Sequence, residues 1–587
     1  MTSTATSTPS LPPPPPPRWE LRPEPPHEVV SRLAEALSLP RALCAVLVGR
    51  GIHEPGPARD FLRPRIEEMH PPALLADAGR AVERLERAID RGETIFVHGD
   101  YDVDGVCSAA LLTRALRSLG ATVVPFVPHR LRDGYDLSRA GVDRAHRAGA
   151  ALLVTCDAGI VAHDAVRHAG ELGIDVVVTD HHTPGSTLPP AVAVVNPNRG
   201  DCPYPDKGLC GAGVVFKLME LLFERRGRDR QLLLPHLDLV ALATIADLVP
   251  LLGENRIFAR FGLRYLAHTS KEGLRALLAV CGMGQAIGDG SLEAGQVGFQ
   301  LAPRINAAGR LGDAGDALEL LLTESREEAR RLAAELDRLN HERRDEDQRT
   351  LDEALRTLAL SFDPADDFGV VLAGEGWHPG VIGIVASRIV ERVHRPVVLI
   401  ALDGDAGRGS ARSIPELHLY DALAECGDHL DRFGGHRQAA GMDVRKSAVE
   451  PLRLAFNRAV RTQLSGSVPA PRLRADLRLS LDEATPELHH WLDYLGPFGM
   501  GNPRPVFVAH DAEIQGTPRE VGRGHLKLQL AHHRGPVEAI GFGLAERLPP
   551  ASLPSRVELA FQLRENEYRG RRTLQARLMD LRPGGSS

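Results

Sequence analysis

The stretch HGDYDVDG, residues 98–105, carries three aspartates on alternate positions behind a histidine. Asp100, Asp102 and Asp104 repel one another when ionised unless a cation holds them, so the stretch indicates a cation site. An EF-hand calcium loop also begins D-x-D-x-D-G, but it needs a glutamate at its twelfth position, which here is Leu111. A solvated acidic loop without a ligand is the plainer alternative for this stretch taken alone.

Three further motifs place acidic side chains directly behind apolar runs. TCDAG contributes Asp157, TDHH contributes Asp180 with His181 and His182, and IADLVPL contributes Asp247. A lone histidine is more often a surface or core residue than a ligand, but two adjacent histidines behind an aspartate favour a ligand set. Carboxylate oxygens mixed with imidazole suit Mn²⁺ or Mg²⁺ and can accept Zn²⁺. The four motifs together predict one metal site.

Apolar strands alternate with helices between residues 94 and 197, which predicts a parallel, doubly wound α/β sheet. The predicted strands are TIFVHGD, ATVVPFVP, ALLVTCDAG, IDVVVTDHH and AVAVVNP. In such sheets, sites lie beyond the carboxyl ends of the strands. Residues 98–105, TCDAG and TDHH all stand there, so we expect their side chains to converge on one crevice.

Composition and periodicity divide the chain into five segments. Residues 1–27 are Pro-rich without periodicity, which predicts a disordered tail. The other four are a first α/β domain with a helical N-terminal segment (28–324), a charged bridging helix (325–362), a second α/β domain (363–465) and, after a short linker, a small β-barrel of the OB type (472–582).

The bulk properties are those of an ordinary soluble protein, with 43% hydrophobic and 25% charged residues among 587. No apolar run approaches the ~20 residues of a membrane helix, and no export signal is visible, so we expect a cytoplasmic protein without membrane contact. Seven cysteines without a CxxC motif fit a reducing compartment. The net charge of −7 argues against non-specific coating of nucleic acid but leaves room for a local basic groove.

HGDYDVDG, TCDAG, TDHH and ADLVPL resemble the four motifs of the DHH phosphoesterase superfamily. Their order, with the long helix and the later GGHRQAAG, resembles the RecJ family of single-strand DNA exonucleases over residues 35–582. The resemblance implies a DHH domain, a bridging helix, a DHH-associated domain and a C-terminal OB-fold. It also implies a 5′-to-3′ exonuclease that releases 5′-mononucleotides from single-stranded DNA by two-metal-ion hydrolysis, in recombination and repair.

The resemblance further assigns roles around two ions, Mn²⁺ or Mg²⁺. The implied ligands of one ion are His98, Asp102 and Asp157. The implied ligands of the other are Asp104, Asp157, His181 and Asp247, with Asp157 bridging both ions. The implied catalytic residues are Asp157, Asp180 and His182, of which His182 would contact the scissile phosphate or assist the leaving oxygen. Asp100 and Asp180 would stand behind the ligands and orient histidines and nearby loops.

Two further segments are candidates for binding the DNA strand. RINAAGRLGDA holds Arg304, Asn306 and Arg310, either as exposed residues of a helix-turn or as a loop that guides phosphates. In the second α/β domain, the resemblance implies strand contacts in GRGSARS and GGHRQAAG, namely Arg408, Ser410, Arg412 and His436. The small residues of GGHRQAAG would let a phosphate approach the backbone, or would serve only a tight strand-to-helix crossing.

A few residues have two open interpretations. His378 in GWHPG is either a substrate contact or part of a helix-start signal with Pro379. The aromatic residues Tyr494, Phe498 and Phe507 could stack on bases as in OB-folds, or pack in the core.

The expected partners are single-stranded DNA, a helicase and a single-strand-binding protein, and the expected state is a monomer. The rival functions are a DHH phosphoesterase acting on RNA or oligonucleotides, and a non-catalytic scaffold of the replication machinery. A scaffold would predict broken metal ligands, whereas every motif ligand is present.

Overall fold

The computed structural model describes residues 11–130, 132–134, 136–284, 292–568 and 571–584. The chain forms two compact units. The unit that holds the four motifs, here called the motif unit, comprises Gly56–His341 and Asp493–Arg504. The other, here called the barrel unit, comprises Met1–Pro55, Glu342–Leu492 and Pro505–Ser587.

The motif unit is built on a five-stranded sheet in which all neighbouring strands run parallel. From edge to edge the strands are Thr122–Phe126, Thr94–His98, Ala150–Cys156, Asp175–Thr179 and Ala193–Val195. Alternate residues of these strands enter two separate buried clusters, one on each face. Burial on both faces requires the near-continuous apolar runs seen in the sequence. The predicted parallel α/β fold is confirmed.

Helices lie on both faces of this sheet, and further helices pack on these helices rather than on the strands. They are Pro55–Leu62, Ala78–Arg91, Val103–Ser118, Arg139–Arg147, His163–Glu171, Gly211–Arg225, Leu237–Ala246, Gly253–Ala267, Glu272–Val280, Ala294–Gln296, Ala302–Leu311 and Ala314–Leu322, with a π-helical segment at Val297–Leu301. The helix Val103–Ser118 is buried on nearly all sides and contacts both Gly211–Arg225 and Leu237–Ala246. This helix begins inside HGDYDVDG, so the core itself fixes the first motif.

The barrel unit contains a second, mixed sheet. Its strands in spatial order are Arg432–Gly435, Ala439–Arg445, Ala406–Arg412, Val397–Asp403 and Val370–Glu375. Its helices are Ile382–Val393, Leu419–Ala424 and Val449–Gln463. The predicted long helix before this sheet is a single helix of 36 residues, Arg326–Ser361.

The C-terminal part closes into a five-stranded β-barrel, which confirms the predicted OB-type fold. The strands in hydrogen-bonded order are Phe507–Val521, His525–Leu530, Val537–Gly541, Arg571–Pro583 and Arg556–Tyr568. Pairing of the last strand with the first closes the barrel. In HLKLQL every second residue is buried, as a strand with one inward face requires. The short strand Leu477–Arg478 pairs beside Phe507, and the helix Pro486–Asp493 follows.

Short 3₁₀ turns connect these elements. They are Ile66–Glu68, Pro72–Leu74, Arg230–Leu232, Leu234–His236, Gly427–His429, Lys446–Ala448, Leu481–Glu483 and Pro550–Ser552. Among the helices that the structure describes, none is both long and apolar enough to cross a bilayer.

The N-terminal tail differs from the prediction. Residues 1–10 lie outside the described residues, but Arg18–Leu21, expected to be disordered, forms a strand parallel to Arg472–Ala475. Trp19 Nε1 donates a 2.6 Å hydrogen bond to Asp580, which is 1% exposed. Because both partners are hundreds of residues away, local Pro-rich composition could not reveal this pairing.

The helical segment after this strand also groups differently from the expected division. The helices His27–Leu37 and Arg41–Gly49 belong to the barrel unit, although the sequence assigned residues from 28 onwards to the first α/β domain. The exact domain boundaries stay predictions.

We predict that Trp19→Ala lowers the free energy of unfolding of the barrel unit by about 1–3 kcal/mol. The substitution removes the hydrogen bond to Asp580. It also removes the indole ring, whose centroid lies 4.2 Å from the guanidinium carbon of Arg582. Glu20→Ala is the matched control, because its ion pairs with Arg472 and Arg474 are long, at 3.7 and 3.8 Å. Denaturant unfolding measures both variants, and equal stability for the two would contradict a structural role of this strand.

Candidate metal centre

The four sequence motifs meet at the carboxyl edge of the parallel sheet. Asp157 directly follows the strand Ala150–Cys156, and Asp180 directly follows Asp175–Thr179. Asp102 caps the helix Val103–Ser118, where its carboxylate accepts a 3.0 Å hydrogen bond from the N–H of Gly105. Parallel strands present their carboxyl ends on one side, so residues far apart in the chain become neighbours here.

Three overlapping groups of side chains could hold cations, since the donor atoms within each group lie within 4.8 Å of one another. The groups are Asp104 with His181 and Asp247, Asp157 with His181 and His182, and Asp100 with Asp102 and Asp157. His181 Nε2 lies 3.1 Å from Asp157 Oδ1, 3.6 Å from Asp247 Oδ2 and 3.7 Å from Asp104 Oδ2. Because Asp157 and His181 each belong to two groups, the three groups form one continuous cluster.

The cluster differs in one respect from the expected ligand set. Asp100, not His98, stands in the group with Asp102 and Asp157. The His98 ring is 1% exposed and meets Phe126 edge-on, with ring centroids 5.3 Å apart. A Cβ on Gly141 would lie 2.9 Å from His98 Nε2, so backbone covers that nitrogen closely. Whether His98 or Asp100 is a direct ligand stays a prediction.

Burial, reinforced by mutual repulsion, sets the electrostatics of the carboxylates in the cluster. Burial, followed by the neighbouring charge of Asp104, raises the pKa of Asp157 far above its usual value. The same two causes raise the pKa of Asp247 to about 8 and also raise the pKa of Asp102. Burial and the charge of Asp102 raise the pKa of Asp100. A bound cation would offset this repulsion and return the carboxylates to their ionised form.

Several potential ligand atoms in the cluster are buried and have no hydrogen-bond partner among the described residues. Asp100 Oδ1, Asp157 Oδ1 and His181 Nε2 are buried and make no hydrogen bond within the described residues. Asp157 Oδ1 and His181 Nε2 face each other without the alignment of a hydrogen bond. Unsatisfied buried polar atoms are costly and rare, so each needs a partner. Oxygen and imidazole donors at this spacing fit divalent cations such as Mn²⁺ or Mg²⁺.

His182 is held beside the cluster by Asp180. Its Nδ1 lies 2.8 Å from Asp180 Oδ1, and its side chain is 40% exposed. Burial alone would lower the pKa of His182, but the hydrogen bond and charge of Asp180 raise it to about 9. Burial works to raise the pKa of Asp180, yet the hydrogen bond from His182 leaves it below its usual value. Asp180 also accepts N–H groups of the histidine loop and of Ile160, so it fixes both the ring and the loop.

Gly211 and Ala212, at the start of the helix Gly211–Arg225, were not among the predicted site residues. Their N–H groups donate to Asp104 at 2.6 and 2.8 Å, so a helix N-terminus supports this buried carboxylate. A Cβ on Gly211 would lie 2.7 Å from the Cβ of Asp157, which only glycine avoids. The small residues of LCGAGVV before an apolar run were the available signal.

Three polar residues that position loops were missed as well. Asn196 Nδ2 donates to the carbonyl of His182 at 2.9 Å, and Asn198 Nδ2 donates to the carbonyl of His181 at 2.5 Å. Asp136 accepts a 2.6 Å hydrogen bond from the N–H of Gly159, just after TCDA. No local pattern marks these residues, because each acts on a loop from another part of the sheet.

RINAAGR forms the helix Ala302–Leu311 rather than a loop. Its Arg304 is engaged within the protein: Nε contacts Asp337 at 2.8 Å, Nη1 donates to the carbonyl of Gln300 at 2.7 Å, and the side chain is 13% exposed. A Cβ on Gly309 would lie 2.6 Å from the carbonyl oxygen of Tyr101, so this helix packs against HGDYDVDG. Asn306 and Arg310 lie on the same helix and are half-buried.

The strand-binding candidates of the second α/β domain form their own surface in the barrel unit. Arg408, Ser410 and Arg412 alternate along Ala406–Arg412, on the face opposite the buried residues between them. Arg412 Nη1 donates to Ser410 Oγ at 3.1 Å. A Cβ on Gly383 would lie 2.8 Å from Arg412 Nη2, so the glycine makes room for the guanidinium.

GGHRQAAG is not the strand-to-helix crossing considered as one alternative. It forms the turn between the antiparallel strands Arg432–Gly435 and Ala439–Arg445, with His436 exposed at the tip. A Cβ on Gly435 would lie 2.5 Å from the backbone of Ala439, so the tight hairpin requires glycine there.

The four residues with two open interpretations lie in different surroundings. His378 Nδ1 accepts a 3.0 Å hydrogen bond from the N–H of Gly380, in the turn before the helix Ile382–Val393. Phe507 is fully buried against Phe561 in the barrel, so it cannot stack on a base. Tyr494 and Phe498 belong to the motif unit and lie beside arginines.

A second group with metal-ligand composition, Asp482 with His532 and His533, has a simpler explanation. Arg534 donates its N–H to His532 Nδ1 at 3.1 Å and its Nε–H to His533 Nε2 at 3.0 Å. The ring nitrogens that face Asp482 therefore carry the protons, and His533 Nδ1 lies 2.6 Å from the carboxylate. The hydrogen bond from His533 lowers the pKa of Asp482, as expected of a carboxylate that accepts a side-chain hydrogen bond.

Models of known protein families match three parts of the chain. The DHH family N-terminal domain matches residues 94–244, the DHHA1 domain matches 366–462, and the RecJ OB domain matches 475–580. The parallel sheet, the cluster at its carboxyl edge and these matches define a DHH phosphoesterase.

Similarity to individual proteins extends over nearly the whole chain. The single-stranded-DNA-specific exonuclease RecJ of Bacillus subtilis is 36% identical over 96% of this chain and 70% of its own length. The Escherichia coli protein of the same name is 40% identical over 92% of this chain and 95% of its own. The chain belongs to the RecJ family.

Crystal structures of RecJ from Thermus thermophilus have the same fold. The structure in complex with Mn²⁺ gives a TM-score of 0.83 at 34% identity, covering 97% of this chain and 80% of that chain. The structure in complex with Mg²⁺ gives a TM-score of 0.77 at 32% identity, covering 97% and 79%.

We predict that excess Mn²⁺ raises the melting temperature of the metal-free chain by about 2–6 °C, because the cation binds the folded cluster and offsets its repulsion. Asp157→Asn should melt at or above the metal-free wild type, since one repelling carboxylate is gone, but should lose most of the Mn²⁺ shift. Differential scanning calorimetry with and without EDTA measures both. An equal Mn²⁺ shift in the two proteins would contradict Asp157 as a ligand.

We also predict that Gly211→Ala weakens Mn²⁺ binding by about tenfold or more, because the new Cβ would displace Asp157. Gly170→Ala is the matched control: it also lies in a helix, and its Cβ would meet nothing within 4 Å. Isothermal titration calorimetry compares the two. Unchanged affinity in Gly211→Ala would show that the close approach does not position the carboxylate.

Proposed function

We infer that the chain is a 5′-to-3′ exonuclease that degrades single-stranded DNA to 5′-mononucleotides, with Mn²⁺ or Mg²⁺ as cofactors, in DNA recombination and repair. The observation that carries this function is the cluster of buried carboxylates around His181, whose facing donor atoms have no hydrogen-bond partner within the described residues. Membership of the RecJ family and the metal-bound relatives support the same conclusion.

We propose that the cluster holds two ions. Asp104, His181 and Asp247 would hold one, Asp102 and Asp100 or His98 would hold the other, and Asp157 would be shared between them. Two bound ions would supply the Lewis acidity and charge neutralisation that phosphodiester hydrolysis needs. The N–H groups of Gly211 and Ala212 keep the Asp104 carboxylate in place while Asp157 keeps its position against the glycine.

His182 is the proposed proton donor at the mouth of the cluster. Its ring is oriented by Asp180, its backbone carbonyl is held by Asn196, and its side chain is partly exposed. An imidazole fixed in this way can hydrogen-bond to the scissile phosphate or deliver a proton to the leaving 3′-oxygen. Asp180 thus acts through His182 and is a positioning residue.

We propose that two surfaces contact the DNA strand, one in each unit. In the barrel unit, Arg408, Ser410 and Arg412 share one face of a strand, and His436 is exposed on a glycine hairpin, an arrangement suited to phosphate oxygens. In the motif unit, Asn306 and Arg310 stay candidates for strand contact. Arg304 is better placed to hold the start of its own helix, through Asp337 and Gln300.

Location, oligomeric state and protein partners are further predictions for this chain. The cytoplasmic location, the monomeric state and partnership with a helicase or a single-strand-binding protein stay predictions. Discrimination against RNA through the 2′-hydroxyl is likewise a prediction, which parallel digestion of DNA and RNA tests.

The test of the function is digestion of single-stranded DNA and RNA, labelled at the 5′ or the 3′ end, with Mn²⁺, Mg²⁺ or EDTA. We expect metal-dependent release of mononucleotides from the 5′ end of DNA, and a loss of at least about a hundredfold in Asp157→Ala. Asp164→Ala is the matched control, because it removes the same charge from an exposed helix of the motif unit. Degradation of RNA would indicate a phosphoesterase that acts on RNA or oligonucleotides. The absence of cleavage with either metal would favour a non-catalytic scaffold of the replication machinery.

A further inference from the structure

Phe299 is the most exposed large hydrophobic side chain of the described residues, at 87%. An aromatic ring left in water forgoes the stabilisation that burial would give it. Single exposed apolar side chains are common, so the case for a function of Phe299 depends on where the ring lies. The residues two positions to either side behave differently: Val297 and Leu301 are fully buried in the core of the motif unit.

The ring projects from an unusual backbone segment next to the metal centre. Val297–Leu301 is the π-helical segment of the motif unit, and such segments often mark functional sites. It packs on the helix Leu237–Ala246, where a Cβ on Gly298 would lie 3.7 Å from the side chain of Ile245. Ile245 stands two residues before Asp247, so Phe299 is carried on the element that packs beside a proposed metal ligand.

Contacts on both sides fix the segment that carries Phe299. On one side, Glu293 and Gln296 form a capping box, with the Glu293 N–H donating to Gln296 Oε1 at 2.8 Å. On the other, Arg304 donates to the carbonyl of Gln300 and is itself anchored by Asp337. The backbone beneath the exposed ring is therefore held in place before any ligand arrives.

We propose that Phe299 stacks on a nucleobase of the single strand beside the metal cluster and so helps to select unpaired DNA. The proposal rests on the exonuclease function inferred above. Every base has a flat face, so stacking on a ring is tolerant of sequence, and in a duplex those faces are already covered by neighbouring pairs. A fixed, exposed ring thus favours a strand whose bases are free.

The position of the ring favours DNA over a protein partner as its occupant. The helix Ala302–Leu311, which carries Asn306 and Arg310, follows the π-helical segment directly. Leu248, which follows Asp247, is also 65% exposed, so apolar surface accompanies the carboxylates at this edge. A strand whose phosphate reaches the cluster would have Phe299 and Leu248 available to its neighbouring bases, whereas a protein bound there would obstruct the substrate.

The experiment compares Phe299→Ala, Phe299→Trp and the wild type in the rate of first-nucleotide release from single-stranded DNA. We expect Phe299→Ala to raise KM on the order of tenfold with little change in kcat, and Phe299→Trp to restore the wild-type KM. The melting temperature should not change, since the ring is exposed. Leu360→Ala is the matched control, an apolar side chain 75% exposed in the other unit, and should leave KM unchanged.

A set of strands with a single abasic site at each of about the first six positions separates stacking from a general effect. If Phe299 stacks on one base, the penalty of Phe299→Ala disappears for the strand that lacks that base. A penalty that persists at every position, or an unchanged KM for Phe299→Ala, overturns the proposal while leaving the exonuclease function intact. Failure of the wild type to digest DNA would instead overturn the proposed function, and this inference with it.

Discussion

The repulsion between buried carboxylates at one edge of a parallel sheet is the constraint on which this structure depends. Asp100, Asp104 and Asp157 are each at most 3% exposed, and burial gives their charges little water to screen them. Part of the balance is provided by the protein: the helix that starts at Gly211 donates two N–H groups to Asp104, and Asp102 accepts the N–H of Gly105. Bound cations would offset the remaining repulsion, so the stability of this edge of the sheet and its capacity to bind metal depend on the same carboxylates.

Glycines and asparagines at the sheet edge serve this constraint. A Cβ on Gly105 would lie 2.4 Å from the backbone nitrogen of Asp100, and one on Gly211 would meet Asp157 at 2.7 Å. A side chain at either position would displace Asp100 or Asp157 and weaken cation binding. Asn196 and Asn198 hold the carbonyls of the two adjacent histidines, so the imidazoles approach from a fixed loop. The cluster is therefore pre-organised by backbone contacts that carry no charge of their own.

The motifs were readable from the sequence because each is short, local and attached to the end of a strand or helix. Because Asp157 and Asp180 each follow a strand of a parallel sheet, the predicted topology was enough to place them at the same edge. Whether Asp100 or His98 is the ligand stays a prediction, since it depends on side-chain direction within one turn, which the motif does not specify. The resemblance made Arg304 a candidate for DNA contact and left an exposed helix-turn residue as the alternative. Neither could reveal its partner Asp337, which lies 33 positions away on another helix. Likewise, no local pattern joins Arg18–Leu21 to Arg472–Ala475.

Local strain concentrates at the same edge of the sheet. Among the described residues, eight residues other than glycine have a positive φ, and three of them, Asp136, Asp157 and Leu248, lie at or next to the cluster. Left-handed backbone disfavours such residues by about 1–3 kcal/mol each, so surrounding contacts must hold them there. At Asp157 this backbone turns the carboxylate toward His181, and at Leu248 it follows directly on Asp247. Backbone strain, carboxylate repulsion and an exposed aromatic ring therefore occur in one region of the motif unit. Local features that disfavour folding are expected at a binding site, because the bound ligand supplies the compensating interactions.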